Sequence, residues 1–437
     1  MDSVAFIKIW GKLVGAVAWD PDQHLGVFEY DKKFVNEGWE LSPLKMPLNS
    51  GQTIFTFPEL RPERNSEYDT FKGLPGLLAD VLPDKYGNQL INVWLAQQGR
   101  PENSMNPVEQ LSFIGVRGMG ALEFEPEKPK RRRNTFKVEV DSLVDIARQM
   151  LKQREDFTVN VKSEQEDAIR QMITIGTSAG GARPKAVIAL NRKTGEVRSG
   201  QSNVPKGFEH WLIKLDGVSD VQLGDTQGYG RVEMAYYLMA KDCGVDMMPC
   251  ELLEENGRAH FMTKRFDREE GNIKHHIQTF CGLKHFDYNE VTSFSYEQLF
   301  QTMRELKLSY PEAEEMFRRM VFNVLSRNCD DHTKNFSFRL KHDGKWELAP
   351  AYDLCHAYRP DSVWVSQHAL SINGKRNNIS LADFLNMAKS MNIKNAREII
   401  GHVNEVVSQW SKYADMVAVD QKKKNAIRET LIQMDIK

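Results

Sequence analysis

The chain has little cysteine. There are five in 437 residues (Cys243, Cys250, Cys281, Cys329 and Cys355), an odd number with no Cys-x-x-Cys pair. That argues against a disulfide framework or a zinc ribbon and favours a reducing compartment. Charge of one sign is lacking too: 58 Lys and Arg face 60 Asp and Glu, a net charge of −2. There is thus no global electrostatic case for binding nucleic acid or an anionic membrane. No stretch approaches the roughly 20 apolar residues needed to span a bilayer. The opening MDSVAFIKIWGK lacks the basic start and apolar run of a secretory leader. These absences predict a cytoplasmic protein with no membrane partner.

What is present is an ordinary globular composition, 41% apolar and 27% charged, with length for two or three domains. VAFIKIW and LVGAVAW, parted at Gly11-Lys12, predict a hairpin. The helical spacing of GLLADVLPDKYGNQLINVWLAQQG must kink or break at Pro83. The polar stretch EPEKPKRRRN, 125–134, marks a boundary, and its basic run from Lys128 to Arg133 is expected to be a solvated linker. Two helices are predicted after 140, the second opened by a Ser163–Glu166 capping box. A glycine-rich turn, Gly176 to Gly181, then leads through Lys185 into a strand from Ala186 to Leu190. HWLIKL (210–215) is a further strand, GRVEMAYYLMAKDCG a helix ended by Gly244, and Asn256-Gly257 a hairpin turn. Beyond 290 the spacing is helical: Pro311 to about Arg327, 381–391, 394–417 and 421–435. The exception is FSFRL and WELAP, which flank Asp343-Gly344 as a hairpin.

The densest polar stretch is NCDDHTKNFSF, 328–338. The predicted helix delivers the chain to Asp330, and from Asn335 it enters the hairpin, returning at Tyr352 and Asp353. Because hairpin strands are antiparallel, Asn335 and Asp353 belong at one end, close to Asp330. Phosphoryl transfer of the protein-kinase kind uses such a set. A carboxylate orients the attacking hydroxyl and takes its proton, while an asparagine and a second aspartate hold Mg²⁺. The catalytic aspartate of kinases precedes the asparagine by five positions, the offset from Asp330 to Asn335. Asp331 is out of register and is expected to be a solvent-facing or capping acid. Upstream, GTSAGGARPK, Lys214 in WLIKL, Glu233 in the next helix, the Asn256-Gly257 hairpin and TKRFD follow the order of a kinase N-terminal lobe. Glycines let backbone N–H groups approach phosphate, and a lysine adds a point charge. The glycine-rich stretch is not a Walker A loop, since it lacks Gly-Lys-Ser/Thr.

Together SAGGARPK, WLIKL, NCDDHTKN and LAPAYD resemble the HipA-like toxin kinases, serine/threonine kinases of bacterial toxin–antitoxin systems. The resemblance covers nearly the whole chain. It implies an α/β (α+β) protein with a bilobal protein-kinase-like core, a small β-rich N-terminal subdomain (1–125), a kinase N-lobe (135–263) and a mostly helical C-terminal lobe (264–437). Carried over by motif, Asp330 is the catalytic residue, and Asn335 and Asp353 hold Mg²⁺. Lys214 meets the phosphates of ATP, alongside Lys185 and the loop residues Ala179, Gly180, Gly181 and Ala182. Lys264, Arg265 and Phe266 form the hinge past the adenine, and His332, Lys334 and Tyr352 line the nucleotide site. Ser178 falls at a serine such kinases autophosphorylate, an inactivating switch. The family implies a helix-turn-helix antitoxin partner of the HipB-like kind, DNA contact only through that partner, and a protein substrate; its targets include tRNA-charging machinery. One departure stands out: Arg183-Pro184 precede Lys185 where the family pattern has Gln-Glu.

A rival reading is a nucleotide-sensing co-repressor subunit docked on a DNA-binding antitoxin, with little or no kinase activity. Retention of Asp330, Asn335 and Asp353 favours the enzyme. Cys329, Asp331, His332, Cys355 and His356 match no usual zinc spacing. His275 and His276 are expected at the surface of an extended segment.

Overall fold

A computed structural model of the chain describes residues 4–62, 69–83, 85–126, 137–152, 176, 183–201, 203–218 and 228–436. Two compact units result. One comprises Met1–Trp39, Leu48–Gly230 and Cys250–His276, the other Glu40–Pro47, Arg231–Pro249 and Ile277–Lys437.

The first unit carries two five-stranded antiparallel sheets. In one, β1 (Val4–Ile9), β2 (Lys12–Asp20), β3 (Leu25–Tyr30), β4 (Ile54–Phe55) and β5 (Leu122–Glu125) lie in the order β4-β3-β2-β1-β5. Alternation along β1 buries Ala5, Ile7 and Ile9 on one face, the period-two pattern of a half-buried strand. In the other, β6 (Lys185–Leu190), β7 (Val197–Ser199), β8 (Glu209–Lys214), β9 (Cys250–Glu255) and β10 (Arg258–Lys264) are ordered β7-β6-β8-β10-β9. The β9–β10 turn places Asn256 and Gly257 at φ 45° and 76°, the positive values a tight hairpin with the right twist demands. Pro83 separates the helices Gly76–Ala79 and Lys85–Gln97, as its missing N–H requires. Helices Lys85–Gln97, Pro107–Ile114 and Val140–Lys152 pack against the second sheet through Tyr86, Leu90, Phe113, Val144, Ile188 and Trp211. The predicted capping box at Ser163 and the basic run from Lys128 to Arg133 lie outside the described residues.

A short hairpin, β11 (Arg268–Glu269) with β12 (Ile273–Lys274), follows in the same unit. Here Asp267, fully buried, accepts from Arg265 (Nε 2.8 Å, Nη2 2.5 Å), Arg268 Nη1 (2.6 Å) and the backbone of Gly120 (2.8 Å). Arg268 also donates to Gly120 O at 2.8 Å and Gly118 O at 3.1 Å. Burial opposes the charge on Asp267, yet Arg265 and Arg268 hold its carboxyl well below the usual range. His275 and His276 are extended, as expected, but not at the surface. Both are buried, and His275 pairs with Glu269 at 2.7 Å. Consecutive histidines in a polar stretch gave no sign of that enclosure.

The second unit is built on helices Tyr296–Glu305, Tyr310–Leu325, Leu381–Met391, Ala396–Ser408, Trp410–Met416 and Gln421–Arg428. Capping boxes at Ser295, Ser309 and Ser380 start three of them, each satisfying backbone N–H groups that a helix start leaves open. Met316, Phe317, Met320, Val321 and Val324 form the buried stripe of Tyr310–Leu325, a helical spacing. A three-stranded sheet of β13 (His276–Thr279), β14 (Ser337–Leu340) and β15 (Trp346–Leu348) completes it, with β14 central. Among the described residues no helix is long and apolar enough to cross a membrane.

Candidate active site

In the second unit the helix Tyr310–Leu325 runs into the 328–335 segment, and the β14–β15 hairpin starts directly after it. The hairpin pairs Phe338 with Leu348 and Leu340 with Trp346, turning at Asp343-Gly344 as its sequence predicts. Its closed end brings Tyr352 back to its start: the phenol donates to Lys334 O at 2.7 Å and shares a 2.5 Å bond with Ser337 Oγ. Asn335 donates its amide Nδ2 to Asp330 O at 2.7 Å. The oxygen of that amide, a hard donor suited to Mg²⁺, is thereby turned away from Asp330 O. Asp353, next to Tyr352, adopts φ 58°, a left-handed conformation that non-glycine residues rarely take. Such outliers persist where their surroundings impose them, and they cluster at functional sites.

Asp330 is half exposed, and its Oδ1 lies 3.8 Å from His332 Nε2. The other His332 ring nitrogen, Nδ1, is buried and has no hydrogen-bond partner among the described residues. The His332 ring lies 5.2 Å from the Tyr288 ring, and Lys334 Nζ stands 5.1 Å from the Tyr288 ring. A carboxylate open to solvent, an amide oxygen and a second carboxylate flank one hairpin in the chain, and oxygen donors of this kind suit a divalent cation carrying phosphates.

Asp331 contradicts the expectation of a solvent-facing or capping acid. It is buried, and accepts from His368 Nδ1 at 3.0 Å, Tyr296 Oη at 2.8 Å and the backbone N–H of Ala369 at 2.8 Å. Tyr296 in turn accepts from Asn323 at 3.0 Å, and Asn323 from Asn328 at 3.0 Å. Burial alone would lower the His368 pKa, but the Asp331 carboxylate and Cys329 more than offset it and bring it to about 10. The chain reverses between helix and hairpin by sealing one of its two adjacent acids inside.

The first unit holds the remaining expected residues except Glu233, which belongs to the second. Lys185 on β6 and Lys214 on β8 are direct cross-strand neighbours, so their side chains leave the same sheet face, and Lys185 is buried. Lys214 Nζ lies 5.8 Å from the centre of the Phe261 ring. Arg183 stacks over Tyr229 at 4.5 Å, and Pro184 O accepts from Leu215 N at 3.0 Å; the unusual Arg-Pro pair extends the strand pairing. Lys264 pairs with Glu209 at 2.7 Å, Arg265 belongs to the buried Asp267 cluster, and Phe266 is half-buried. Ser178, Ala179, Gly180, Gly181 and Ala182 lie outside the described residues. Glu233 lies on the helix Tyr229–Asp242 and is buried. Sequence reasoning missed Asp216, whose carboxylate accepts from Gly228 N at 2.8 Å and Ala259 N at 3.3 Å; no local spacing marks it.

The HipA-like C-terminal domain family matches residues 177–410, and the HipA N-terminal domain family matches residues 5–125. A Sinorhizobium fredii protein named as an inferred kinase, Y4mE, is 28% identical over 127 residues, which cover 26% of this chain and 30% of that protein. The match thus spans under a third of that relative's length. Among solved structures, Shewanella oneidensis HipA, in a complex with HipB and operator DNA, superposes with a TM-score of 0.67. It is 17% identical, and the match covers 97% of this chain and 94% of that one. This likeness establishes the fold, the kinase-like α/β architecture expected from the sequence.

Proposed function

The chain belongs to the HipA-like family, and from that premise we propose that it is an ATP-dependent serine/threonine protein kinase, the toxin component of a bacterial toxin–antitoxin module. The observation that carries the reading is the hairpin that bonds Asn335 to Asp330 and returns the chain through Tyr352 to Asp353. ATP would supply the γ-phosphoryl group, and Asn335 and Asp353 would hold the accompanying Mg²⁺. Asp330, half exposed beside His332, orients the attacking hydroxyl and accepts its proton. Lys214 and Lys185 meet the charge of the phosphates, with Ala179, Gly180, Gly181 and Ala182 as backbone donors. Lys264, Arg265 and Phe266 serve as the hinge, and His332, Lys334 and Tyr352 line the nucleotide site. Ser178 is the autophosphorylated residue, and its modification switches the kinase off.

By the same reading the chain acts in the cytoplasm and pairs with a helix-turn-helix antitoxin of the HipB-like kind. DNA contact runs through that partner, and the substrate is a protein, with the tRNA-charging machinery a candidate. The test is transfer from γ-labelled ATP by wild type, Asp330→Ala and Ser178→Ala, read on the protein and on a cell lysate. Label is expected with wild type, is lost with Asp330→Ala, and leaves the protein itself with Ser178→Ala. A wild type that binds no Mg-ATP and labels nothing overturns the kinase. Label that survives Ser178→Ala unchanged overturns only the switch.

A further inference from the structure

We propose that Tyr288 is a positioning residue of the nucleotide site, whose ring holds the Lys334 ammonium ready for the phosphates of ATP. This rests on the kinase reading, which puts Lys334 in that site, and adds to it a residue that no motif of the chain marks.

Tyr288 stands between the short helix Phe280–Lys284 and the helix Tyr296–Glu305. Hydrogen bonds tie that stretch to the chain around Asn335. The Thr333 hydroxyl donates to Phe286 O at 2.8 Å, and Phe280 N donates to Phe336 O at 2.7 Å. The stretch is braced within itself as well. Phe286 stacks on Phe294 with ring centres 4.4 Å apart, and meets Phe280 edge-on at 5.3 Å. Phe286 N donates to Cys281 O at 3.1 Å and Glu290 N to Asp287 O at 3.0 Å. Asp287 Oδ1 accepts from Asn289 N at 2.9 Å. Tyr288 is thus carried on ordered backbone, two residues from the bond that joins Phe286 to Thr333.

Its half-buried ring serves both chain neighbours of Thr333. Lys334 Nζ stands over it, 5.1 Å from the centre, and the His332 ring lies 5.2 Å away at an interplanar angle of 49°. An ammonium within ~6 Å of an aromatic centre is drawn to the electron-rich face. Lysine carries its charge on a flexible stem, whose rotamer freedom is lost when a ligand fixes the head. A ring that has already gathered the head lowers that loss, which is preorganisation. His332 shares the support. Its Nδ1 has no hydrogen-bond partner among the described residues, so packing orients the ring whose Nε2 lies 3.8 Å from Asp330 Oδ1. Tyr288 therefore acts on the nucleotide through Lys334, which a tyrosine that merely fills space would not do.

The experiment is a double-mutant cycle on the dissociation constant of Mg-ATP. It uses wild type, Tyr288→Leu, Lys334→Met and the double variant, with Tyr288→Phe as the conservative change. Tyr288→Leu is expected to weaken binding about fivefold, the size of a partly desolvated cation–π contact. Tyr288→Phe, which keeps the ring, stays within about twofold of wild type. In the Lys334→Met background Tyr288→Leu costs less than about twofold, because the group it acts through is gone. Should Tyr288→Leu fail to fold, a trifluorinated phenylalanine at 288 takes its place, since it keeps the ring and weakens its electrostatic face. The same loss is then expected relative to Tyr288→Phe. Unchanged binding by the ring-disabled variant overturns the proposal, as does an equal loss in both backgrounds. A loss by Tyr288→Phe as large as by Tyr288→Leu does so too. Wild-type affinity in Lys334→Met overturns it and leaves the kinase reading standing. Absence of Mg-ATP binding by wild type removes the kinase reading, and this proposal with it.

Discussion

Asp330 and Asp331 are chemically identical neighbours with opposite surroundings. Asp330 is half exposed, with a histidine nitrogen at 3.8 Å. Asp331 is sealed inside, its oxygens taken by an imidazole, a phenol and a backbone N–H. The difference assigns each a kind of work. A buried carboxylate whose lone pairs are occupied holds structure together, whereas an accessible one with spare acceptor capacity can exchange a proton with a substrate. The loop thus has a fastened side and an open side, one residue apart.

If enclosure is what separates them, another fully buried carboxylate, Asp267, should behave as Asp331 does, only more strongly. Asp267→Ala leaves Arg265 and Arg268 buried without their counter-ion and should cost about 3–5 kcal/mol. Urea unfolding checks this, and a loss under 1 kcal/mol would break the comparison. Asp331→Asn keeps the shape but removes the charge facing His368, with an expected cost of about 1–3 kcal/mol on the same scale.

The pH dependence sharpens the distinction. The folded pKa of His368, about 10, lies above its ordinary value near 6.5. Its stabilisation is therefore fully present below about pH 6.5 and is lost as the pH rises to about 10. Urea midpoints of wild type and His368→Gln should converge across that window. His356 runs the other way. Burial, then Arg327, depresses it to about 4, so it destabilises the fold as pH falls from about 6.5 to 4. Least affected should be Lys264→Ala, whose partly exposed pair with Glu209 is worth about 0.2–1 kcal/mol.

How far the sequence carried depended on the range of each interaction. The Asp343-Gly344 turn and the five-residue offset from Asp330 are local signals, and they located the Asn335 bond and the return of Tyr352. Pro83 likewise acts within a turn of itself. Asp331 was misjudged because its partners come from Tyr296 and His368, 35 and 37 positions away. Arg265 is a harder case. Its partner Asp267 is two residues on, yet only the approach of Gly118 and Gly120 encloses the pair, and composition carries no trace of that. The two lysines facing each other across β6 and β8 were foreseen singly and never as a pair, since strand register is a tertiary fact.

The central claim is that the two adjacent acids divide chemistry from structure. Single-turnover transfer from γ-labelled ATP by Asp330→Asn and Asp331→Asn, at saturating Mg-ATP and with the folded fraction measured for each, tests it most directly. The account predicts that Asp330→Asn keeps its unfolding midpoint and loses about 10²–10⁴-fold in rate, while Asp331→Asn loses stability and keeps more of its rate per folded molecule. Full transfer by Asp330→Asn, with transfer abolished in folded Asp331→Asn, would contradict it.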